Sequence, residues 1–278
     1  MTLKIMSGTG NTFVFANLMD EKNKEELLSC FPKKNFSMIA QLLCQHPLTE
    51  TDGAVFITPS QKYDFNWLFY NNDGSEAEMC GNAARCATLF AHDEDIVKNH
   101  CEFETLAGTI IGEVISKKEV RVRMPQLKDI NMAQVINDDR VFTKYDFVDS
   151  GVPHCVIKVN SFENLEEHRP LAEQLRKPKY FKPKGANITF RVPINKEHIE
   201  SVTFERGVED FTEACGTGAV AAAYAHINEN KNISRVQVSV PGGELYVEFK
   251  ENFPYLGGAV NYLGEIQLEE LKGAKEDE

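Results

Sequence analysis

The sequence lacks the cysteine spacings that are typical of disulfide frameworks and structural metal sites. Its seven cysteines include no Cys-x-x-Cys pair, and their number is odd. The ligand spacings of zinc sites are missing as well. A chain of 278 residues can also bury a core without disulfides. We therefore expect reduced thiols, a reducing compartment and no bound metal.

Long apolar segments are also absent. Residues 1–11 show no basic segment followed by an apolar one, which is the pattern of a secretion signal. The longest apolar run that could be helical, Ala219 to Ile227, is too short to cross a bilayer. These two absences predict a cytoplasmic protein with no membrane contact.

Positive charge is scarce relative to negative charge. The chain has 30 Lys and Arg against 42 Asp and Glu, a net charge of −12 and a pI near 5.2. Such a surface disfavours nucleic acid and anionic lipid, so we expect no nucleic-acid partner. With 42% apolar and 26% charged residues, the composition is that of an ordinary globular protein.

Helical periodicity is clear in only two places, Lys34–Gln45 and Asn164–Arg176. Most of the remaining pattern consists of short β-branched and aromatic runs near Gly, Pro, Asn or Asp, which predicts strands. The strands predicted in this way are 13–15, 53–57, 65–70, 109–115, 120–124, 156–159, 187–192, 201–205, 236–240 and 244–249.

The second half of the chain repeats the first in outline, because each half contains several predicted strands and one Ala-rich helix. A polar stretch between Pro125 and Val148 separates them. We therefore predict an N-terminal half over 1–125, joined by a C-terminal strand near 262–268, and a C-terminal half over 140–261.

Two matched segments point to chemistry, Glu78–Arg85 and Glu213–Val220. Each places Cys-Gly at the head of a run of small residues, which predicts a buried helix that begins at the cysteine. One thiol from each half suits a reaction that needs an acid on one face of a carbon and a base on the other. The remaining cysteines lack this context and are interpreted as small buried apolar residues; they are Cys30, Cys44, Cys86, Cys101 and Cys155.

A cysteine at a helix start is suited to acid–base work. Its thiol ionises near pH 8.5 when unperturbed, and the positive end of a helix dipole favours the thiolate. The backbone N–H groups of Gly81 and Asn82, and of Gly216 and Thr217, can bind an α-carboxylate and stabilise the charge it gains as the α-proton leaves. No motif for a pyridoxal phosphate lysine is evident in the sequence.

Six ordered blocks of the chain resemble the diaminopimelate epimerase family. They are Gly8–Phe13, Tyr70–Cys86, Gly151–Cys155, Glu205–Glu209, Ala214–Ala219 and Pro241–Gly243. The resemblance implies an α+β fold with two pseudo-symmetric halves, each a mostly antiparallel sheet wrapped as a barrel around one central helix. It also implies a cofactor-independent epimerase of LL- and meso-diaminopimelate, in lysine and peptidoglycan precursor biosynthesis, with Cys80 and Cys215 as acid and base.

The same resemblance implies roles for further side chains. His154 lies near a catalytic thiol and, together with Glu205, tunes the pKa values of the thiols, while Arg206 binds the distal carboxylate of the substrate. Amide side chains surround the distal amino-acid end, where they can donate to a carboxylate and accept from an ammonium. These amides are Asn11, Asn71 and Asn187.

Two residues depart from the family pattern. Thr12 stands where the family usually has an aspartate, which affects a local turn. Val152 stands where many members have an asparagine that touches the distal end of the substrate. The valine removes one polar contact and leaves strict recognition of diaminopimelate open.

Two alternatives to a diaminopimelate epimerase remain at this stage. A racemase of the same fold could act on another amino acid, such as glutamate; Val152 favours it, and Asn71, Asn187 and Arg206 weigh against it. A non-enzymatic binding module is disfavoured by two intact Cys-Gly segments. The expected partner is a small amino-acid substrate, and the oligomeric state is open, with a homodimer among the possibilities.

Overall fold

The computed structural model describes residues 1–77, 79–106, 108–138 and 141–273. Contacts between Cα atoms divide the chain into two compact units. Unit 1 comprises Met1–Val122 and Gly258–Glu278, and unit 2 comprises Arg123–Gly257. Each unit is described separately below.

The strands of unit 1 are β1 (Thr2–Gly8), β2 (Asn11–Asn17), β3 (Gly53–Thr58), β4 (Phe65–Asn71), β5 (His100–Thr105), β6 (Gly108–Ser116), β7 (Glu119–Arg123) and the second part of β16 (Phe253–Gln267). Its helices are α1 (Glu21–Cys30), α2 (Phe36–Gln45), α3 (Gly81–Asp93) and α6 (Glu270–Gly273). The strands follow the order β1 to β7, and β16 lies beside both β7 and β1, so the sheet closes around α3.

The strands of unit 2 are β8 (Lys128–Asn137), β9 (Phe142–Asp149), β10 (Pro153–Lys158), β11 (Asn187–Asn195), β12 (His198–Glu205), β13 (Asp210–Thr212), β14 (Arg235–Val240), β15 (Gly243–Lys250) and the first part of β16. Its helices are α4 (Arg169–Leu175), preceded by a short 3₁₀ turn at Leu165–His168, and α5 (Gly216–Glu229). The strand order is β15-β14-β12-β11-β10-β9-β8, and α5 packs against most of these strands.

The two units repeat one strand pattern. In unit 1, β1–β2 is antiparallel, β2–β3 parallel, β3–β4 antiparallel, β4–β5 parallel and β5–β6 antiparallel. In unit 2, β9–β10, β10–β11, β11–β12, β12–β14 and β14–β15 alternate in the same way. The central helix follows β4 in unit 1 and β12 with its short partner β13 in unit 2. The predicted α+β fold, with a mostly antiparallel sheet around one helix in each half, is confirmed.

The central helices are enclosed by apolar side chains. Residues Gly81 to Ala91 of α3 are all buried, and most of Gly218 to His226 of α5 is buried too. Both helices are rich in alanine and other small residues, so the sheet can surround them closely. Because each helix is packed on all sides, the position of its first residues is fixed within its unit.

Surface helices follow ordinary capping rules. Asp20 caps α1 by accepting from Asn23, and Asn35 caps α2 by accepting from Met38. The apolar face of α2, which contains Ile39 and Leu43, is buried against the sheet of unit 1. Among the described residues, no helix is long and apolar enough to span a bilayer.

Candidate active site

Cys80 lies at the start of α3, with extended backbone angles (φ −139°, ψ 124°), and is half-buried. The helix begins at Gly81, and both Gly81 and Asn82 are buried. Gly8 passes so close that a Cβ there would lie 2.9 Å from the carbonyl oxygen of Asn82. The predicted helix start at this thiol is therefore present and is held tightly against the end of β1.

A polar cluster surrounds this helix start. Arg85, which has no exposed surface, donates to Oγ1 of Thr9 at 2.7 Å and to Oδ1 of Asn82 at 3.0 Å. Nδ2 of Asn82 then donates to Oδ1 of Asn11 at 2.8 Å. Thr9 and Gly10 form the two-residue turn between β1 and β2, both with positive φ. The predicted site residues Asn11 and Asn82 are thus directly bonded.

An acidic side chain lies beside Thr12. Oδ2 of Asp52 accepts from the backbone N–H of Thr12 at 2.8 Å and from Nδ2 of Asn11 at 3.4 Å. A carboxylate is thus present beside the turn, although it comes from position 52 instead of position 12.

Asn71 ends β4 and is exposed. Its Nδ2 donates to Oγ of Ser75 at 3.0 Å, and Ser75 in turn donates to Asp73. This amide is therefore held by the loop that leads towards Cys80.

Cys215 takes the matching position in unit 2, at the start of α5 (φ −121°, ψ 106°). Its Sγ accepts from the backbone N–H of Gly218 at 3.4 Å and lies 3.5 Å from Oγ1 of Thr217. Burial, followed by the nearby Glu205 carboxylate, raises the pKa of Cys215 far above its usual value, while Thr217 and Gly218 act in the opposite direction. The thiol form is therefore favoured until substrate or a base changes these surroundings.

His154 on β10 is completely buried. Its Nδ1 lies 2.8 Å from Oγ1 of Thr189, and its Nε2 lies 3.0 Å from Oγ1 of Thr217. Burial, with a smaller contribution from the Arg206 cation, lowers the pKa of His154 to about 3. The ring is therefore neutral at physiological pH and is connected to Cys215 through the hydroxyl of Thr217.

Asn187 and Arg206 are joined beside this histidine. Oδ1 of Asn187 accepts from the backbone N–H of Arg206 at 2.8 Å, and its Nδ2 lies 3.5 Å from Nε2 of His154. Nη1 of Arg206 donates to the carbonyl oxygen of Gly185 at 3.3 Å, and this is the one hydrogen bond of the half-buried guanidinium to the described residues. Glu205 accepts from Thr212 at 2.7 Å.

Val152 is half-buried in the turn between β9 and β10. Its carbonyl oxygen accepts from Ser150, and Oγ of Ser150 donates to the carbonyl oxygen of Thr217 at 2.8 Å. This turn is thereby attached to the start of α5.

The structure brings six predicted residues of unit 2 into one connected group: Cys215, Thr217, His154, Asn187, Arg206 and Glu205. Sequence reasoning missed Arg85, Ser150, Thr189 and Thr203, whose side chains are buried and hydrogen-bonded in these two groups. The pattern of strands β11 and β12 gives no signal that distinguishes Thr189 and Thr203 from other strand residues.

Most of the remaining cysteines are buried, and burial favours the unreactive thiol form. Burial raises the pKa of Cys44 to about 11 and that of Cys86 and Cys101 to about 12. Cys155 is also fully buried with a raised pKa, whereas Cys30 is half-buried. Within the residues that the structure describes, no group of three or more His, Cys, Asp or Glu side chains could hold a metal.

Comparison with known proteins gives a consistent result at the level of sequence. A family model described as diaminopimelate epimerase matches residues 3–128 and 147–265. The diaminopimelate epimerase of Aquifex aeolicus is 35% identical over 273 residues, which covers 95% of this chain and 96% of that protein. The diaminopimelate epimerase of Helicobacter pylori is 34% identical, and the match covers 93% of each chain. That of Archaeoglobus fulgidus is 32% identical, and the match covers 96% of each chain.

Solved structures with a similar fold are more distant in sequence. A phenazine biosynthesis protein of the PhzF family from Bacillus anthracis has a TM-score of 0.68 at 13% identity, covering 96% of this chain and 98% of that one. A probable proline racemase from Agrobacterium radiobacter has a TM-score of 0.63 at 14% identity, covering 96% and 92%. At these identities the likeness establishes the fold alone.

Proposed function

The chain belongs to the diaminopimelate epimerase family, and on that premise we propose that it inverts an α-carbon of LL- or meso-diaminopimelate with two thiols and no cofactor. It is an isomerase of amino-acid and lysine biosynthesis. The observation that carries the mechanistic part of the proposal is the matched pair of thiols. Each unit places one cysteine at the start of its enclosed central helix, Cys80 before α3 and Cys215 before α5.

Inversion requires one proton to leave and another to arrive on the opposite face. In the proposed step, the thiolate of one cysteine removes the α-proton, and the electron pair of the broken C–H bond is delocalised into the α-carboxylate. The thiol of the other cysteine then donates its proton to the opposite face of the carbon. The first cysteine finishes as a thiol and the second as a thiolate, so the reverse direction begins from the opposite protonation states.

The helix starts supply the electrostatic part of catalysis. Backbone N–H groups at Gly81 and Asn82, and at Gly216 and Thr217, have no partner one turn earlier in their helices. They can donate to the α-carboxylate of the substrate, where negative charge grows as the proton leaves. This contribution can replace the electron sink that pyridoxal phosphate provides in other enzymes.

Specificity is assigned to the distal end of the substrate. We propose that Arg206 pairs with the distal carboxylate, because its half-buried guanidinium makes one hydrogen bond within the part of the chain that the structure describes and so has further donors to offer. Asn11, Asn71 and Asn187 are assigned to the surrounding polar contacts, while His154 and Glu205 are assigned to tuning the thiols. We also propose a cytoplasmic location and leave a homodimer to be tested by sedimentation.

A second candidate is a racemase of another amino acid, such as glutamate, and one observation favours it. The strand pairing of the two units makes Val152 the counterpart of Asn11, since Phe13 and His154 begin the equivalent parallel pairs. An apolar residue at that position removes one polar contact to the distal end. Asparagine at position 152 should therefore improve turnover of diaminopimelate relative to glutamate.

The test is to measure stereochemical inversion of LL-diaminopimelate, meso-diaminopimelate, glutamate and alanine in parallel. We expect diaminopimelate to be preferred, and Arg206→Ala to lower its kcat/KM by about one to two orders of magnitude, the worth of a charge-assisted hydrogen bond. The matched control is Arg235→Ala, which removes an exposed cation on β14. Preference for glutamate or alanine, with diaminopimelate turnover unaffected by Arg206→Ala, would establish the racemase instead.

A further inference from the structure

A chain of buried hydroxyls extends beyond His154 into the sheet of unit 2. Oγ1 of Thr189 lies 2.8 Å from Nδ1 of His154 and 3.0 Å from Oγ1 of Thr203. On the other side of the ring, Oγ1 of Thr217 lies 3.0 Å from Nε2 and 3.5 Å from Sγ of Cys215. Five side chains therefore form one continuous line, from Thr203 through Thr189, His154 and Thr217 to Cys215.

The line crosses three neighbouring strands. His154 is on β10, Thr189 on β11 and Thr203 on β12, where Thr189 and Thr203 are directly paired. The side chains of His154 and Thr189 have no exposed surface, and that of Thr203 is 3% exposed. A buried hydroxyl is costly unless it is hydrogen-bonded, and the hydroxyls of Thr189 and Thr203 meet this need through each other and His154.

Unit 1 shows that the fold does not require these polar groups. The parallel pair β2–β3 begins at Phe13 and Gly53, and the parallel pair β10–β11 begins at His154 and Asn187. By this register the counterparts of His154, Thr189 and Thr203 are Phe13, Val55 and Phe69, and Val55 is paired with Phe69 just as Thr189 is paired with Thr203. All three are buried and apolar. The same positions can therefore be filled without any hydroxyl or imidazole, and only the unit that contains Cys215 has the polar line.

We propose that Thr189 and Thr203 are positioning residues that fix the tautomer of His154 and, through Thr217, direct a hydrogen bond at the sulfur of Cys215. This inference rests on the proposed function only for the catalytic role of Cys215. It extends that function, because it assigns to Cys215 a line of hydrogen-bonding side chains that has no counterpart at the equivalent positions of unit 1.

The direction of the line follows from the thiolate that the reaction requires. A neutral imidazole donates from one nitrogen and accepts at the other. For the hydroxyl of Thr217 to donate to the Cys215 thiolate, its oxygen must accept from Nε2–H of His154 at 3.0 Å. The longer approach of the Asn187 amide nitrogen to Nε2, 3.5 Å, is then a contact between two donors and not a hydrogen bond. Nδ1 must then accept from Thr189, which in turn accepts from Thr203. Every donor thus points towards the sulfur, and such chains strengthen their members.

The charged groups that act on this line among the described residues are Glu205 and Arg206. Burial is the main cause of the raised pKa of Cys215 and of the lowered pKa of His154, and Glu205 and Arg206 add to these shifts respectively. Neither is removed when a threonine of the line is changed to valine. The variants below therefore alter the hydroxyl donors without changing the local charge.

The experiment measures alkylation of individual cysteines by iodoacetamide near neutral pH, with peptides quantified by mass spectrometry. The rate at each cysteine reports its thiolate, so Cys80 in the same molecule is an internal control. Thr189→Val matches the residue found in unit 1. We expect it to slow alkylation of Cys215 by about three- to tenfold, the worth of one hydrogen bond, and to leave Cys80 unchanged. Thr203→Val should give a smaller loss, and Thr189→Ser should restore the rate.

Two controls separate this role from a structural one. Thr88→Val removes a buried hydroxyl in unit 1 that donates to the carbonyl oxygen of Ala84, and it should not change the Cys215 rate. The acid limb of the kcat/KM profile should move to higher pH in Thr189→Val and return in Thr189→Ser. If Thr189→Val leaves the Cys215 rate unchanged, slows both cysteines equally, or is not rescued by serine, the inference is overturned. The alkylation rates decide this even if the wild-type protein does not epimerise diaminopimelate, so the two failures are distinguishable.

Discussion

The two thiols occupy similar backbone positions but different chemical surroundings. Cys80 is half-buried at a helix start where Arg85 and Asn82 form the polar cluster. Cys215 is buried, close to the Glu205 carboxylate, and connected to a neutral His154 through Thr217. An epimerase needs each thiol to alternate between acid and base, and we infer that the two units meet this need with different side chains.

Replacement of either thiol should remove most of the activity. We expect Cys80→Ser and Cys215→Ser each to lower epimerisation by about two to four orders of magnitude, the usual contribution of a positioned acid or base. Ser is nearly isosteric with Cys, so thermal unfolding should remain close to that of the parent. Cys30→Ser, at a half-buried thiol outside both helix starts, is the control and should retain activity. Near-parental turnover by either catalytic variant would contradict the two-thiol mechanism.

Removal of the acid near Cys215 should make that thiol more reactive. The Glu205 carboxylate raises the pKa of Cys215, so Glu205→Gln should lower it and speed alkylation of Cys215 near neutral pH by about three- to tenfold. Glu213→Gln changes the net charge equally at an exposed position and should have little effect. Turnover should nevertheless fall in Glu205→Gln, because a more stable thiolate is a weaker base. Equal alkylation rates in the two variants would count against this role for Glu205.

At the residue scale, the two thiols proposed to react were easier to select from the sequence than the residues that surround them. Cys80 and Cys215 could be found because Cys-Gly before a run of alanines places a thiol, a close backbone approach and an enclosed helix at one point of the chain. Thr189 and Thr203 could not, because threonine, like valine, is enriched in strands and does not stand out there. Only the three-dimensional pairing shows that their hydroxyls meet behind His154.

At the scale of elements, the start of α5 is tightly packed. A Cβ at Gly218 would lie 2.3 Å from Oγ1 of Thr203 and 3.2 Å from Cβ of Cys215. Gly218→Ala should therefore destabilise the protein by about 1–3 kcal/mol through overpacking, and it should disturb the line of hydroxyls. If the added methyl group had room, Gly218→Ala would instead raise the free energy of unfolding, as Gly→Ala substitutions in helices usually do.

The equivalent position in unit 1, three residues after Cys80, is already alanine. Ala83→Gly is thus the matched control, and it should cost about 1 kcal/mol through helix propensity. Chemical denaturation with both variants measures the two costs. If Gly218→Ala were more stable than the parent, Thr203 would have to move away at little cost, and the prediction of overpacking would be wrong.

Strands were predicted best where one of their faces is buried. β3, β4 and β11 have strong apolar patterns because their residues enter the core. β8 and β9 lie within the polar stretch for which the sequence predicts no element, and nearly all of β8 is exposed. When both faces of a strand are exposed, apolar and polar side chains need not alternate along it. The strand still pairs through its backbone, but the sequence does not reveal it. The charged helix α1 was missed for the same reason, since only Leu27 is buried.

At the scale of the whole molecule, a neutral buried histidine makes stability depend on pH. The pKa of His154 is lowered from 6.5 to about 3. Between these values the unfolded chain binds a proton that the folded protein does not, so stability falls as the pH drops below about 6.5. The contribution of the neutral ring is complete above that pH.

His154→Phe, which places in unit 2 the residue type found at position 13, should reduce this dependence. The loss of unfolding free energy between about pH 7 and pH 5 should be smaller than in the parent by about 2 kcal/mol. His100→Gln, at an exposed histidine, should leave the dependence unchanged. Urea titrations at several pH values give the comparison, and parallel curves for His154→Phe and the parent would refute the assignment of a neutral ring.

The most direct test of the two-thiol account is the position of solvent deuterium during the first turnovers of LL-diaminopimelate in deuterated buffer. With one thiol on each face, the meso product should carry one deuterium at the inverted carbon, while the recovered LL substrate remains unlabelled. That result is expected because the proton removed from one face does not return to it before the opposite thiol has donated. Deuterium entering the recovered LL substrate as fast as the product, or product that retains the original proton, would contradict the account.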